Sequence, residues 1–128
     1  MVMNSIASIA TTGTYAAPIS GGTAIATSSA AEGYEEQPVS SSGTFGNLFV
    51  RIASGGVAYQ VSVTLYKNGS PTAITCSTGT TAASIGATST CSDTTHTISV
   101  SPGDSVGYVM QPNVSNNSCR VATAIHIQ

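Results

Sequence analysis

The sequence predicts an all-β fold: a jelly-roll β-sandwich of about eight antiparallel strands, with an immunoglobulin-like sandwich as the alternative. Three observations predict it. Short runs of alternating apolar and polar residues recur between turn signals along most of the chain. No 3.6-residue apolar period survives the 13 Gly, the 5 Pro and the abundant Ser and Thr. Asn68-Gly69, a pair that adopts the positive dihedrals of a tight hairpin at low cost, sits between two such runs. Eight strands in two packed sheets is the jelly-roll number. The immunoglobulin-like alternative normally packs a Trp against its inter-sheet disulfide, and this chain has no Trp.

At 128 residues the chain fits one domain. Residues 1–13, MVMNSIASIATTG, read as an N-terminal arm or edge strand that can extend a neighbour's open sheet edge. They lack the basic n-region and apolar core of a signal peptide, so no export signal is expected. Residues 14–128 read as a single jelly-roll domain. TYAAPISGGTAIAT supplies strand material from Tyr15 to Thr27, bent at Pro18 and Gly21-Gly22. EGYEEQPVSSSG, Glu32 to Gly43, reads as a polar loop. In TFGNLFVRIAS, Phe45, Leu48, Val50 and Ile52 form one buried face. The phase break near Gly46 predicts a bulge, with Asn47, Phe49 and Arg51 outward.

YQVSVTLYKNG alternates with period two: Tyr59, Val61, Val63 and Leu65 inward, Gln60, Ser62, Thr64 and Tyr66 outward. TAITC returns as its partner. STGTTAASIGATST reads as a low-complexity loop. TCSDTTHTISV is a strand with Ile98 and Val100 inside, SPGDS a turn, and SVGYVMQ and CRVATAIHIQ two closing strands.

The charge balance excludes several functions. Only 6% of residues are charged and the net charge is −2. So little charge on a Ser- and Thr-rich chain points to a surface covered in an assembly, or else to a hydroxyl-rich surface on a monomer. Arg51, Lys67 and Arg120 are too few for a phosphate footprint, so no nucleic-acid partner is expected. No run approaches the length of a membrane-spanning helix, and no membrane association is expected.

Chemistry-bearing residues are few. Cys76 and Cys91 flank the low-complexity loop, and they are the disulfide candidate if TAITC and TCSDT are neighbouring strands; two buried thiols are the alternative. Cys119 is left over, as a free buried thiol or an intermolecular partner. Three scattered Cys with His96 or His126 lack zinc spacing, and Glu32, Glu35 and Glu36 lack calcium-loop spacing. No metal and no cofactor is expected. Asp93 lies three residues before His96, but no nucleophile elbow accompanies them. Asp93 reads as a turn cap and His96 as an outward strand residue, so no catalytic residue is expected and the chain reads as no enzyme. Phe49 and Tyr66, outward aromatics, are the interface candidates.

The order GTFGNLFVRIAS, VTLYKNGSPTAITC, CSDTTHTISVSPGDSVGYVMQ, over residues 43–128 with the closing strand, resembles the trimeric jelly-roll modules of the complement and tumour-necrosis-factor type. It also resembles small cement, or decoration, proteins and fibre-tip domains of tailed bacteriophages. The matching positions are Gly43, Phe45, Leu48 and Val50; Leu65, Lys67, Asn68 and Gly69; Cys91, Asp93, Thr94 and Thr95; Gly103 and Asp104. These are fold markers and carry over no catalytic position. The resemblance implies a homotrimer on the outer capsid surface of a virion, assembled in the host cytoplasm with the major capsid protein as partner. A receptor- or carbohydrate-binding tail-fibre tip is the alternative.

Overall fold

A computed structural model describes residues 2–9, 14–20, 25–27, 36–113 and 119–128. Among these residues ten strands follow one another: β1 (Val2–Ile9), β2 (Thr14–Pro18), β3 (Ile25–Thr27), β4 (Gln37–Pro38), β5 (Gly43–Gly55), β6 (Val61–Lys67), β7 (Ser70–Ser77), β8 (Ile85–Val100), β9 (Ser105–Pro112) and β10 (Cys119–Ile127). Sheet A has the order β1-β10-β5-β8. Sheet B has the order β3-β2-β9-β6-β7, with β4 paired to β9. All pairs are antiparallel.

Setting aside the short β3 and β4, sheet A takes the first, eighth, third and sixth long strands, and sheet B the second, seventh, fourth and fifth. That interleaving is the jelly roll, and it explains why β1 and β10, from opposite ends of the chain, lie side by side. The predicted fold class is therefore the observed one, with ten strands among the described residues where about eight were expected. β1, read as an arm or edge strand, forms the edge of its own chain's sheet A from Val2↔His126 to Ile9↔Cys119.

The core lies between the sheets. β5 sends in Phe45, Leu48, Val50 and Ile52, and β6 sends in Val61, Val63 and Leu65, all at most 2% exposed. Val121 and Ile125 of β10 and Val106, Tyr108 and Met110 of β9 complete it. The expected bulge is present. Pairing shifts between Gly46 and Leu48, and Asn47 takes φ 52°. Asn tolerates that left-handed conformation better than most residues, and the extra residue re-phases the strand so that Phe45 and Leu48 both face inward. The Asn68-Gly69 turn has φ 51° and 77°, the mirror-image turn that matches strand twist.

Three readings are corrected. The loop read over residues 77–90 ends early, because β8 begins at Ile85 and pairs through Ala53↔Thr88 and Arg51↔Thr90. Ser, Thr and Gly make that stretch look like coil, but the 13-residue β5 offers it a ladder. TAITC and TCSDT are not paired neighbours: β7 edges sheet B and β8 edges sheet A. Glu36, read as part of a solvated loop, accepts hydrogen bonds from Gly69 N at 2.7 Å and from Ser105 Oγ. The Gly21-Gly22 bend, Glu32 and Glu35 lie outside the described residues.

Tyr59, two residues before β6, is fully buried, and its hydroxyl has no partner among the described residues. Burial pushes its phenol well above the ordinary tyrosine value, with Cys119 and Tyr15 adding to the shift. Tyr59→Phe removes that unpaired group and keeps the ring. It is expected to be neutral to stabilising by up to about 1 kcal/mol, read as an unchanged or raised melting temperature.

Candidate functional site

Three places in this sandwich carry more than packing: the outer face of sheet A, the seam where β7 meets β8, and a cavity at one end.

The outer face is built by strand alternation. Inward residues of β10 are Cys119, Val121, Thr123 and Ile125, all buried, which leaves Arg120, Ala122, Ala124 and His126 outward. The register sets Ala124 beside Phe49 and Phe49 beside Ser92; the next row is Ala122, Arg51 and Thr90. Phe49 is 52% exposed, one of two large hydrophobic residues so exposed among the described residues. The other is Ile85, at the start of β8. Small alanines on one side and short hydroxyl residues on the other leave the Phe49 ring standing above a shallow floor. Charge on the described part of this face comes from Arg51 and Arg120.

Tyr66, the second interface candidate, lies in β6 of sheet B, opposite Gly107 and Pro71. Phe49 and Tyr66 are therefore on opposite outer faces, and Tyr66 is half-buried. The structure does not bring the two together.

At the seam, Cys76 and Cys91 are joined, with Cα atoms 5.9 Å apart. The bond links the edge strand of one sheet to the edge strand of the other. Asp93 lies beside it and is only 6% exposed. Its Oδ2 accepts from Thr75 N of β7 at 3.1 Å and faces His96 Nδ1 at 2.8 Å. Its Oδ1 accepts from Thr95 N, Thr95 Oγ1 and His96 N, each at 3.1 Å. Burial acts to raise this carboxyl's pKa. The His96 side chain and the backbone N–H groups of His96, Thr75 and Thr95 outweigh it and hold the carboxyl well below the usual carboxylate range. The His96 ring is 54% exposed. Asp93 thus caps its own turn and also ties β8 to β7. The register jump from Leu48↔Asp93 to Gly46↔Thr97 makes room for this turn inside the strand.

Cys119 is free and buried, and its Sγ accepts from Gly55 N at 3.4 Å. That burial removes the intermolecular-partner reading. Among the described residues no group of three or more His, Cys, Asp or Glu side chains is placed to hold a metal ion.

The cavity, about 150 Å³, lies where the two sheets open at the end carrying β4. Ile19, Val39, Phe45, Val100, Val106 and Ile127 form its apolar wall, and Gln37, Ser40 and Ser41 its polar side. Gln37 is fixed by a reciprocal pair of hydrogen bonds to the Ser20 backbone. The sequence carries no local signal for this cavity, because its lining comes from six separate stretches of chain.

No family model matches the chain, and no curated protein matches it. Solved structures do. The globular domain of zebrafish complement 1qA is similar at a TM-score of 0.49 and 11% identity, over 97% of this chain and 93% of that one. A family 35 carbohydrate-binding module from Clostridium thermocellum is similar at 0.41 and 17%, over 70% of this chain and 66% of the other. A second such module, from Cellvibrio japonicus, gives 0.39 and 20%, over 100% and 93%. All three TM-scores fall below one half, so the fold assignment stands on the strand order itself.

Proposed function

We propose that this protein is a structural assembly module that associates with copies of itself, as a homotrimer, through the outer face of sheet A. The observation that carries the reading is Phe49. A half-exposed phenylalanine at the middle of a sheet, with only the small Ala124 and Ser92 beside it and Arg51 in the next row, joins the two residue types enriched at interfaces, aromatic and arginine. An isolated domain gains nothing by leaving that ring in water, whereas covering it contributes on the order of 2 kcal/mol per copy. The setting, as a capsid cement protein on the outer surface of a virion bound to the major capsid protein, rests on the resemblance of residues 43–128 to phage decoration proteins. There, several weak contacts per oligomer become strong together through effective concentration.

Phe49→Lys tests the reading. The substitution sits on an exposed position, so the monomer fold is expected to survive. Self-association is expected to weaken by about 30-fold or more, the loss of one ~2 kcal/mol anchor, as read by sedimentation velocity over a concentration series. Identical sedimentation of variant and wild type at every concentration would remove the Phe49 face from the account.

A second reading has its own observation. Thr88, Thr90 and Ser92 form a hydroxyl row on β8 along the strand that carries Phe49, and Ser92 pairs with Phe49 itself. An aromatic ring beside hydroxyl groups is also the arrangement that holds a sugar ring, as a fibre-tip domain does. Glycan-array binding lost on Phe49→Lys supports this reading; no binding to any glycan supports the assembly reading alone.

A further inference from the structure

We propose that Asn68 is a deamidation site that the fold keeps shut, and that its conversion opens one end of the sandwich irreversibly. Asn68-Gly69 is the sole Asn-Gly step in the sequence. Gly presents no side chain to hinder attack by its own main-chain nitrogen. In the reaction Gly69 N attacks Asn68 Cγ and a new N–C bond forms. The Cγ–Nδ2 bond breaks, and the nitrogen leaves as ammonia, carrying the proton lost by Gly69 N. The product is a cyclic imide. Water then adds to either imide carbonyl and opens the ring to aspartate or isoaspartate. No oxidant or cofactor is required.

In the folded chain both reacting groups are held apart by other partners. Asn68 Nδ2 donates to Asp104 Oδ1 at 2.8 Å, and Asn68 Oδ1 accepts from Ser105 N at 2.8 Å. Gly69 N donates instead to Glu36 Oε1 at 2.7 Å. The amide carbon is thus locked toward the β8–β9 turn while the nucleophile points at β4's approach. Cyclisation must wait until this cradle opens.

The product does not fit back. A carboxylate at position 68 offers an acceptor where Nδ2 was a donor, directly opposite the Asp104 carboxylate. Glu36, which reaches Gly69 and Ser105, adds a further negative charge. The cation at this end among the described residues is Lys67, already 2.9 Å from Asp104 Oδ2. Like charges without a second counter-ion disfavour closure. The same end is held by Val39 N to Asp104 O, Gly103 N to Val39 O and Asn68 N to Ser105 O, so these contacts loosen together. One transient opening becomes permanent.

The test follows deamidation by peptide mapping in warm, mildly alkaline buffer, with folded and urea-unfolded protein side by side. Conversion at Asn68 is expected to be at least about tenfold slower in the folded protein, the factor set by its opening equilibrium. Asp104→Ala is expected to move the folded rate most of the way to the unfolded one. A separate arm uses Asn68→Asp, the product itself, and measures amide hydrogen exchange at Val39 and Gly103. Exchange there is expected to rise by about tenfold or more, with the core amides of β5 unchanged. Equal rates in folded and unfolded protein, or exchange in Asn68→Asp identical to wild type, overturns the proposal.

Discussion

Reduction of the Cys76–Cys91 bond, or Cys91→Ser, is expected to lower stability by about 3 kcal/mol, the chain-entropy value for a loop of this size. For a domain this long that is a fall of roughly 10 °C in melting temperature. The size of the effect follows from where the bond sits. β7 and β8 end different sheets, so no ladder hydrogen bonds join them. Beside the bond, Asp93 and Thr75 N provide a polar link across the same seam. Without the bond, residues 77–90 no longer close a covalent loop in the unfolded chain, and that chain gains the corresponding freedom. Thermal melts with and without reductant measure this directly. The Cys76→Ser, Cys91→Ser double variant is expected to match the reduced protein. A melting temperature indifferent to reductant contradicts the pairing.

Asp93→Ala is expected to cost about 1–3 kcal/mol, because it leaves Thr75 N, Thr95 N and His96 N without their acceptor at a half-buried place. Its pH dependence has a definite sign. The folded carboxyl titrates below its unfolded value, so the stabilisation is fully present above the unfolded value of about 4. It is lost as pH falls through the folded value, which lies below the usual range. Acid titration of wild type should therefore show a larger loss of stability below about pH 4 than Asp93→Ala does. Asp104, held down to about 2 by the Asn68 and Lys67 side chains and by Ser101 N, remains in both proteins. The difference between the two acid curves isolates Asp93. Parallel curves would mean that Asp93 does not carry the seam.

Local pattern reached a long way into this fold. β6 is half-buried, so its inward Val61, Val63 and Leu65 alternate with outward Ser62 and Thr64 in a readable period of two. The bulge before Leu48 was readable because a hydrophobic face cannot change phase without an extra residue. Asn68-Gly69 was readable because few pairs reach those dihedrals cheaply. Which sheet each strand joins was not readable, since it is fixed by contacts between strands far apart in sequence. That is why the two outward aromatics, Phe49 and Tyr66, turn out to lie on different faces, and why Cys76 and Cys91, read as ends of neighbouring strands, bridge two sheets. The start of β8 was missed for a related reason: Ser, Thr and Gly describe a loop until β5 supplies a partner. Asp93 was read as a turn cap from its spacing, and its hold on Thr75 appears only when β7 and β8 meet.

The assembly reading stands or falls on the mass of the native particle in solution. Size-exclusion chromatography with light scattering, on the wild-type chain across a concentration series, measures it. The proposed homotrimer of this 12.7 kDa chain has a mass of about 38 kDa, shifting toward the single-chain mass in Phe49→Lys. A wild-type mass of 12.7 kDa at every concentration contradicts it.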